Sequence, residues 1–528
     1  MAKSREGWLN TRVVIFILFL FALLVRLIAL KQNYVIANDG VMYIKMAQLY
    51  SAGEYHHELF RTHAYYSFFP LLILPFYKVF GDWVLAGQLA STLCGALTVI
   101  PLYLLARRIF DEKIALWGAI FYALCPLLVQ YSAEVLRDVP FIFFYTTALW
   151  WGYKGIKDGK LVFVGLSSLF TTISASLRLE GLTLLVVLVL FLLWHGLKNG
   201  ISWKKRLMAF GVLCATVFFL FSFFGLLMSQ KGIQIGKNQV QAIESIVGIK
   251  GLLENKTIKS IENEVEKMDI SATGKEFFAL AKKYRFALYS SHIFYNTVKV
   301  FNILFLLFLF GLIKRRKIKY RHDEFLLVSI YAVLVPMFLI YLNNINYLHA
   351  RYLFPLIVPS LIWSGVGFVE LKERIIRWMK PRDFLLKNYV VRRITPLLLL
   401  LICVPLLAMA LAPQRKDKLE LKEIGLWLKN NSYAHSIIVG QNEFNRLAFY
   451  AEGEFAELSK GNYHDIIRFA WEKKARLLVI NQKTIDQLSP DFLKKISHRD
   501  LQRIDIPGIK TPNYATTVFL IKGAGERK

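Results

Sequence analysis

A set of acidic, basic and histidine side chains stands at or near the ends of apolar segments, where ionisable residues are costly and commonly functional. A carboxylate there can take a proton from a hydroxyl or an amine, and an arginine can bind phosphate oxygens through its planar fork. Proton transfer and anion binding are therefore the chemistry that these residue types allow. The set comprises Asp39, Arg61, His63, Arg137, Asp138, Arg178, Glu180, His349 and Arg351, all predicted on one side of a membrane, where they could line one cavity.

Each of these residues also has a structural role open to it. Asp39 precedes the helical pattern 41–50, and Asp is a favoured residue at a helix N-cap. Neighbouring opposite charges can form ion pairs that do no chemistry, and an arginine beside a tyrosine can anchor a helix at the membrane interface. These alternatives apply to the pairs Arg137–Asp138 and Arg178–Glu180, and to Arg351 with Tyr352.

The elements that must position these residues are long apolar runs. The chain has 528 residues, of which 55% are hydrophobic, against about 45–50% in soluble proteins even when Gly is included. A membrane-spanning helix needs roughly 20 mostly apolar residues. The sequence predicts about eleven spans, at 13–30, 84–105, 114–131, 139–156, 161–177, 181–196, 207–228, 297–313, 324–342, 352–369 and 394–412.

The distribution of charge predicts how these spans are oriented. A net charge of +29 could suggest nucleic acid, but Lys and Arg cluster in alternate short loops between apolar runs. That pattern is typical of cytoplasmic loops, so we predict no nucleic-acid partner. The first run is longer than the apolar core of a signal peptide and is interpreted as an uncleaved helix. We therefore predict a multi-pass protein of the inner cell membrane, with a cytoplasmic N-terminus and an extracytoplasmic C-terminus.

This orientation predicts two domains. Residues 1–412 form the transmembrane domain, with outer loops at 31–83 and 229–296. Residues 413–528 alternate helical patterns with short strand-like runs, which indicates a small extracytoplasmic α/β domain. The predicted elements of this domain are helices at 419–429 and 463–473 and strands at 436–439, 476–480 and 516–521.

Sequence motifs of soluble enzymes are missing from the chain. It contains no Walker A loop, no H-E-x-x-H and no G-x-S-x-G, and nothing suggests a nucleotide site. Its four cysteines lie inside apolar runs without the spacing of a metal site or a disulfide framework. We therefore expect neither a cofactor nor a bound metal.

The order of short motifs along nearly the whole chain resembles the bacterial family 39 glycosyltransferases. These are GT-C relatives of protein O-mannosyltransferases and of lipid A aminoarabinose transferases. Each motif is short, and the specificity comes from their order and topology. The matching runs are 37–43, 65–71, 104–110, 123–127 with 131–132, 136–140, 177–181, 349–355 and, in the tail, 424–428.

The resemblance implies a helical GT-C membrane fold, a polyprenyl-phosphate sugar donor and catalysis without a bound metal. It also implies that an acid in the first outer loop acts as the general base, and Asp39 holds that position, with Asp138 as a second candidate. Many relatives carry Asp-Glu there, whereas this chain has Asp39-Gly40, so a helper acid is missing. Arginines would bind the lipid phosphate, and other polar residues would contact donor or acceptor. The phosphate-binding candidates are Arg351, Arg178, Arg137 and Arg61, and the contact candidates are His63, Glu180, His349 and Tyr352.

Two other classes of protein compete with a transferase. A transporter or lipid flippase would show inverted repeats and broken helices near mid-membrane, and the sequence shows no repeat. A membrane scaffold would not need acids and arginines on one face. Within enzymes, a polymerase or ligase of surface polysaccharide is an alternative. The sequence leaves the sugar unidentified, and the acceptor can be protein, lipid or glycan.

Overall fold

The computed structural model describes most of the chain. The described residues are 10–55, 57, 59, 68–198, 202–230, 271–315, 322–379, 384–459, 461–483, 485, 489, 492–497, 499–507 and 516–522. They form two compact units. The helical unit comprises Met1–Leu30 and Met46–Ala412, and the tail unit comprises Lys31–Lys45 and Pro413–Lys528.

The described part of the helical unit consists mostly of helices. In chain order, the helices up to residue 410 are α1 (Thr11–Lys31), α2 (Asn38–Ala52), α3 (Phe69–Phe80), α4 (Trp83–Leu97), α5 (Val99–Ile109), α6 (Glu112–Leu124), α7 (Pro126–Ser132), α8 (Asp138–Asp158), α9 (Leu161–Leu177), α10 (Thr183–Lys198), α11 (Trp203–Gln230), α12 (Ala272–Lys283), α13 (Arg285–Phe301), α14 (Leu304–Arg315), α15 (Phe325–Ile345), α16 (Phe354–Trp378) and α17 (Phe384–Ala410).

Six helical segments within the described residues are long and apolar enough to cross a membrane, and counting two bent pairs as spans raises the number to eight. Three shorter apolar helices accompany them, at Phe69–Phe80, Leu161–Leu177 and Ile394–Ala410. Each of the eleven predicted spans overlaps a helix, and the predicted α-helical membrane fold is confirmed. The most buried span is Ala350–Trp378, with 89% of its apolar window inside the protein.

The predicted span 297–313 is wrong as a single helix. Helices α13 and α14 meet at an angle of 109°. Between them Asn302 has a φ of 54° and a ψ of −135°, a backbone conformation outside the helical range. Its side-chain oxygen accepts a hydrogen bond of 2.7 Å from the backbone nitrogen of Ile303. A hydropathy pattern registers the apolar run but does not detect a break made by one Asn.

The predicted span 114–131 also bends, by 57° between α6 and α7. Pro126 has no N–H and disfavours helical geometry in the residue before it, so Cys125 is extended. The fully buried Arg26 of α1 lies beside this break. Its guanidinium donates to the Ser132 hydroxyl at 3.1 Å and to the Ala123 carbonyl at 3.4 Å. Arg26 therefore joins α1 to both halves of this bent pair.

The tail unit contains a five-stranded mixed sheet. Its helices are α18 (Leu419–Leu428), α19 (Asn445–Tyr450) and α20 (Tyr463–Glu472), and its strands are β1 (Ile437–Gly440), β2 (Glu454–Glu457), β3 (Leu477–Asn481), β4 (Leu501–Ile504) and β5 (Thr516–Ile521). The strand order is β2-β1-β3-β5-β4. Strand β1 is parallel to β2 and β3, whereas β5 is antiparallel to β3 and β4.

The small α/β domain predicted for the tail is confirmed. The two helices and three strands that the sequence predicts match α18, α20, β1, β3 and β5 to within a residue or two. The sequence prediction missed α19, β2 and β4. Both missed strands lie at the edges of the sheet. Edge strands bury few side chains: both ends of β2 are exposed glutamates, and β4 carries exposed Gln502 and Arg503. The apolar pattern that reveals a central strand is therefore weak in them.

Candidate active site

One buried charge cluster lies in the helical unit, centred on Arg178. Its guanidinium donates to both carboxylate oxygens of Glu180, at 2.5 and 3.3 Å, and forms a further ion pair with Asp138. These three side chains are at most 11% exposed. A buried charge is tolerated where it is paired and hydrogen-bonded, and here each carboxylate has an arginine nitrogen against it.

The tight connection between α9 and α10 sets this geometry. Helix α9 ends at Leu177, Arg178 is extended, and a 3-10 turn covers Leu179–Leu182. Gly181 packs directly on the backbone of Ala175, where any Cβ atom would clash. Asp138 is the first residue of α8, which packs along α9. This connection therefore brings Arg178 and Glu180 against the start of a neighbouring helix.

A second arginine joins the cluster from the 3-10 helix Ala350–Leu353, which leads into α16. Arg351 Nη1 lies 3.7 Å from the second oxygen of Asp138, and the Arg351 side chain is 19% exposed. The Tyr352 ring lies between the two cations, 4.2 Å from the Arg178 guanidinium carbon and 5.8 Å from that of Arg351. Five predicted site residues, Asp138, Arg178, Glu180, Arg351 and Tyr352, thus form one cluster.

Arg178 and Arg351 differ in how closely carboxylates of the protein contact them. Arg178 is enclosed and makes short bonds to two carboxylates, which offset its charge. The contact of Arg351 with Asp138 is longer and the Arg351 side chain is the more exposed, so its fork is better placed to receive an incoming anion. His349 adjoins it: His349 Nδ1 accepts from the Arg351 backbone N–H at 3.4 Å and lies 3.4 Å from the Tyr131 hydroxyl. Arg137 precedes α8 and is half-buried.

Asp39 belongs to the tail unit, within the segment Lys31–Lys45. Helix α2 begins at Asn38, so Asp39 lies inside its first turn and not at the preceding position where an N-cap residue stands. The backbone nitrogens of Gly40 and Val41 both bond to the Ala37 carbonyl. A carboxylate in a first turn suits the positive end of the helix dipole. The half-buried Asp39 side chain thus lies in the first turn of this helix.

Arg61 and His63 lie outside the described residues. Within the described part of the chain, no group of three or more His, Cys, Asp or Glu side chains could hold a metal ion.

The sequence prediction passed over two residues near the cluster. Tyr131 contacts His349, and Glu134, only 5% exposed, lies four residues before Asp138. A signal existed for both. Tyr131 falls within a motif run, and Glu134 is an acid between two apolar segments, as Asp138 is.

Comparison with known proteins bears on the fold of both units. The family model described as dolichyl-phosphate-mannose-protein mannosyltransferase matches residues 67–224, which include Asp138, Arg178 and Glu180. The crystal structure of ArnT from Cupriavidus metallidurans bound to undecaprenyl phosphate aligns over 98% of this chain and 100% of its own, at a TM-score of 0.54 and 12% identity. The chain has the GT-C fold.

Archaeal enzymes share the GT-C fold with this chain. An Archaeoglobus fulgidus oligosaccharyltransferase in complex with Zn and sulfate aligns over 88% of this chain and 68% of its own, at a TM-score of 0.58 and 14% identity. AglB from the same organism was solved in complex with an inhibitory peptide and a dolichol-phosphate. It aligns over 93% of this chain and 73% of its own, at a TM-score of 0.57 and 11% identity. No curated protein sequence matches the chain. The resemblance to GT-C glycosyltransferases is confirmed.

Proposed function

We propose that this chain transfers a sugar from a polyprenyl-phosphate donor to an acceptor on the extracytoplasmic side of the membrane. One observation carries the proposal: the GT-C fold is shared over 98% of this chain with ArnT from Cupriavidus metallidurans, whose structure holds undecaprenyl phosphate and is covered over its full length. A donor that arrives on a lipid is also consistent with a sequence that lacks a nucleotide motif.

The proposed chemistry assigns a role to each kind of charged residue. Asp39 takes the proton from the acceptor hydroxyl or amine as the acceptor attacks the anomeric carbon of the sugar. The bond between that carbon and the phosphate oxygen breaks, and polyprenyl phosphate leaves with the electron pair. Arg351 binds the phosphate and stabilises its growing negative charge. Arg137 contributes positive charge to this end of the site, Arg178 fixes the positions of Asp138 and Glu180, and Tyr352 and His349 shape the site.

Turnover by the purified protein tests the proposal. The membrane-embedded enzyme would be incubated with a radiolabelled undecaprenyl-phosphate sugar and an acceptor fraction extracted from the envelope. We expect release of undecaprenyl phosphate that depends on the acceptor and matches the label transferred. Movement of intact donor across the membrane without cleavage would instead identify a flippase.

Replacing Arg351 tests the assignment of the phosphate site. We expect Arg351→Ala to weaken donor binding by about 10- to 150-fold, because a charge-assisted hydrogen bond contributes roughly 1.5–3 kcal/mol. Arg351→Lys should recover only part of the affinity, since a point charge replaces a planar fork. Equilibrium binding of radiolabelled donor measures both variants. Unchanged affinity in Arg351→Ala would reduce Arg351 to an interfacial anchor.

Labelling of introduced cysteines tests the proposed orientation. A cysteine at the exposed tail residue Glu472 should react in intact cells with a maleimide that cannot cross the membrane. The matched control is Lys160→Cys, between α8 and α9 in a connection that we place in the cytoplasm. It should react only after the membrane is permeabilised. The opposite pattern, with labelling of position 160 alone in intact cells, would reverse the orientation.

A further inference from the structure

Hydrogen bonds to backbone groups of residues 32–36 hold the segment that carries Asp39 against the rest of the tail unit. Residues 32–36 run beside residues 414–415 and the side chain of Tyr450, and hydrogen bonds join the two parts of the chain. The Gln414 N–H donates to the Gln32 carbonyl at 2.8 Å, the Tyr34 N–H to the Gln414 carbonyl at 3.3 Å, the Arg415 guanidinium to the Val35 carbonyl at 3.3 Å, and the Ile36 N–H to the Tyr450 hydroxyl at 3.2 Å.

A side-chain relay continues these contacts up to the residue next to Asp39. Asn38 Nδ2 donates to the Asn442 side-chain oxygen at 3.0 Å and to its backbone carbonyl at 3.3 Å. Asn442 Nδ2 in turn donates to Glu457 at 2.8 Å. Glu457 therefore orients the Asn442 amide so that its oxygen faces Asn38, and Asn38 and Asp39 share the first turn of α2.

The relay occupies a defined place in the sheet. Gly440 ends β1, Glu457 ends β2, and the two residues are register partners in parallel strands. Asn442 begins the 3-10 helix that follows β1. Side chains at the carboxyl ends of parallel strands are where open α/β sheets build functional sites. Here that edge holds a segment of chain, and the segment carries the proposed base.

We propose that Asn442, oriented by Glu457, is a positioning residue for the transfer reaction: it fixes Asn38 and thereby the carboxylate of Asp39. This inference rests on the proposed function. A general base must lie within hydrogen-bond reach of the proton that it takes, and small misplacement of a reacting group is costly. The tail unit thus takes part in the reaction through the segment that it holds.

Kinetics of Asn442→Ala test this role. We expect kcat to fall by about 5- to 100-fold, from the loss of a hydrogen bond and the displacement of the base, with the KM for donor unchanged. The same change made in an Asp39→Asn enzyme should have little further effect, because the base is already absent. The matched control is Gln482→Ala in the same unit. The Gln482 amide donates a hydrogen bond of 2.7 Å to the Thr517 hydroxyl, and its removal leaves the relay intact. Its kcat should be normal.

Reversal of the Asn442–Glu457 pair provides a rescue. Asn442→Asp alone keeps an oxygen for Asn38 but sets two carboxylates against each other, and it should lower kcat as Asn442→Ala does. Adding Glu457→Gln restores a donor and an acceptor at unchanged net charge, and it should recover most of the rate. Thermal melts would accompany each variant, and the reversed pair carries the test if Asn442→Ala does not fold.

Two results would overturn the positioning role. One is an equal fall in kcat for Asn442→Ala in the wild-type and Asp39→Asn enzymes. The other is an equal fall in kcat for Gln482→Ala. Full activity in Asn442→Ala alongside an inactive Asp39→Asn would reject the inference and leave the proposed function standing. Full activity in Asp39→Asn would reject the base itself.

Discussion

Asp39→Asn is expected to slow sugar transfer by at least about 100-fold, because a general base typically contributes 10²–10⁴-fold to a rate. The change preserves the shape of the side chain and removes only the proton acceptor. The loss of a negative charge in the first turn of α2 should cost only about 0.3–1 kcal/mol of stability. The variant should therefore fold, reach the membrane and bind the donor normally, as measured with purified protein, radiolabelled donor and a thermal melt.

Asp82 offers a matched control for this experiment. It caps α4 by accepting a hydrogen bond of 2.8 Å from the Leu85 backbone nitrogen, and Asn caps about as well as Asp. Asp82→Asn should transfer at the normal rate. Robust turnover by Asp39→Asn would remove Asp39 from the mechanism and leave Asp138 as the next candidate. Asp138 contacts two arginines, which disfavour its taking a proton.

Arg178→Ala is expected to destabilise the helical unit by about 3–5 kcal/mol, because removing one partner of a buried ion pair leaves an uncompensated charge. Asp138 and Glu180 are only 2% and 8% exposed and would lose the guanidinium that joins them. Denaturant or thermal unfolding in nanodiscs would measure the loss. Activity should fall with it, since the start of α8 and the α9–α10 hairpin would separate.

A charge-balanced variant of the cluster is the control for Arg178→Ala. The double variant Arg178→Met, Glu180→Gln removes one cation and one anion together and leaves Asp138 paired with Arg351. It should recover much of the stability, because no buried carboxylate is left without an arginine partner. A loss of less than about 1 kcal/mol in Arg178→Ala, the size of a surface ion pair, would show that the cluster does not hold these helices together.

The sequence was sufficient to predict the features that follow from apolar periodicity and chain order. Those features are the apolar spans and the central strands of the tail. Asp138, Arg178, Glu180 and Arg351 lie at helix ends, as the sequence analysis expected, and the structure brings them together. The sequence could not show which arginine is neutralised by carboxylates of the protein. That depends on a contact of Arg178 with Asp138, 40 residues away.

Long-range contacts explain the other differences. The sequence predicts residues 31–83 as a loop of the transmembrane domain, whereas Lys31–Lys45 clusters with the tail. Nothing in the local pattern around Asn38 indicates a partner at Asn442, more than 400 positions later, because hydrogen bonds between distant polar residues leave no periodicity. The edge strands and the break at Asn302 were missed for a related reason. Both depend on single residues and on neighbours in space.

The lipids of a strain that lacks this gene test the central claim most directly. If the chain consumes a polyprenyl-phosphate sugar, its deletion should cause that lipid to accumulate. The wild-type gene should return the lipid to its normal level, and Asp39→Asn, expressed to the same amount, should not. Mass spectrometry of the extracted lipids would measure the accumulation and identify the sugar. An unchanged pool of polyprenyl-phosphate sugars in the deletion strain would contradict the proposed function.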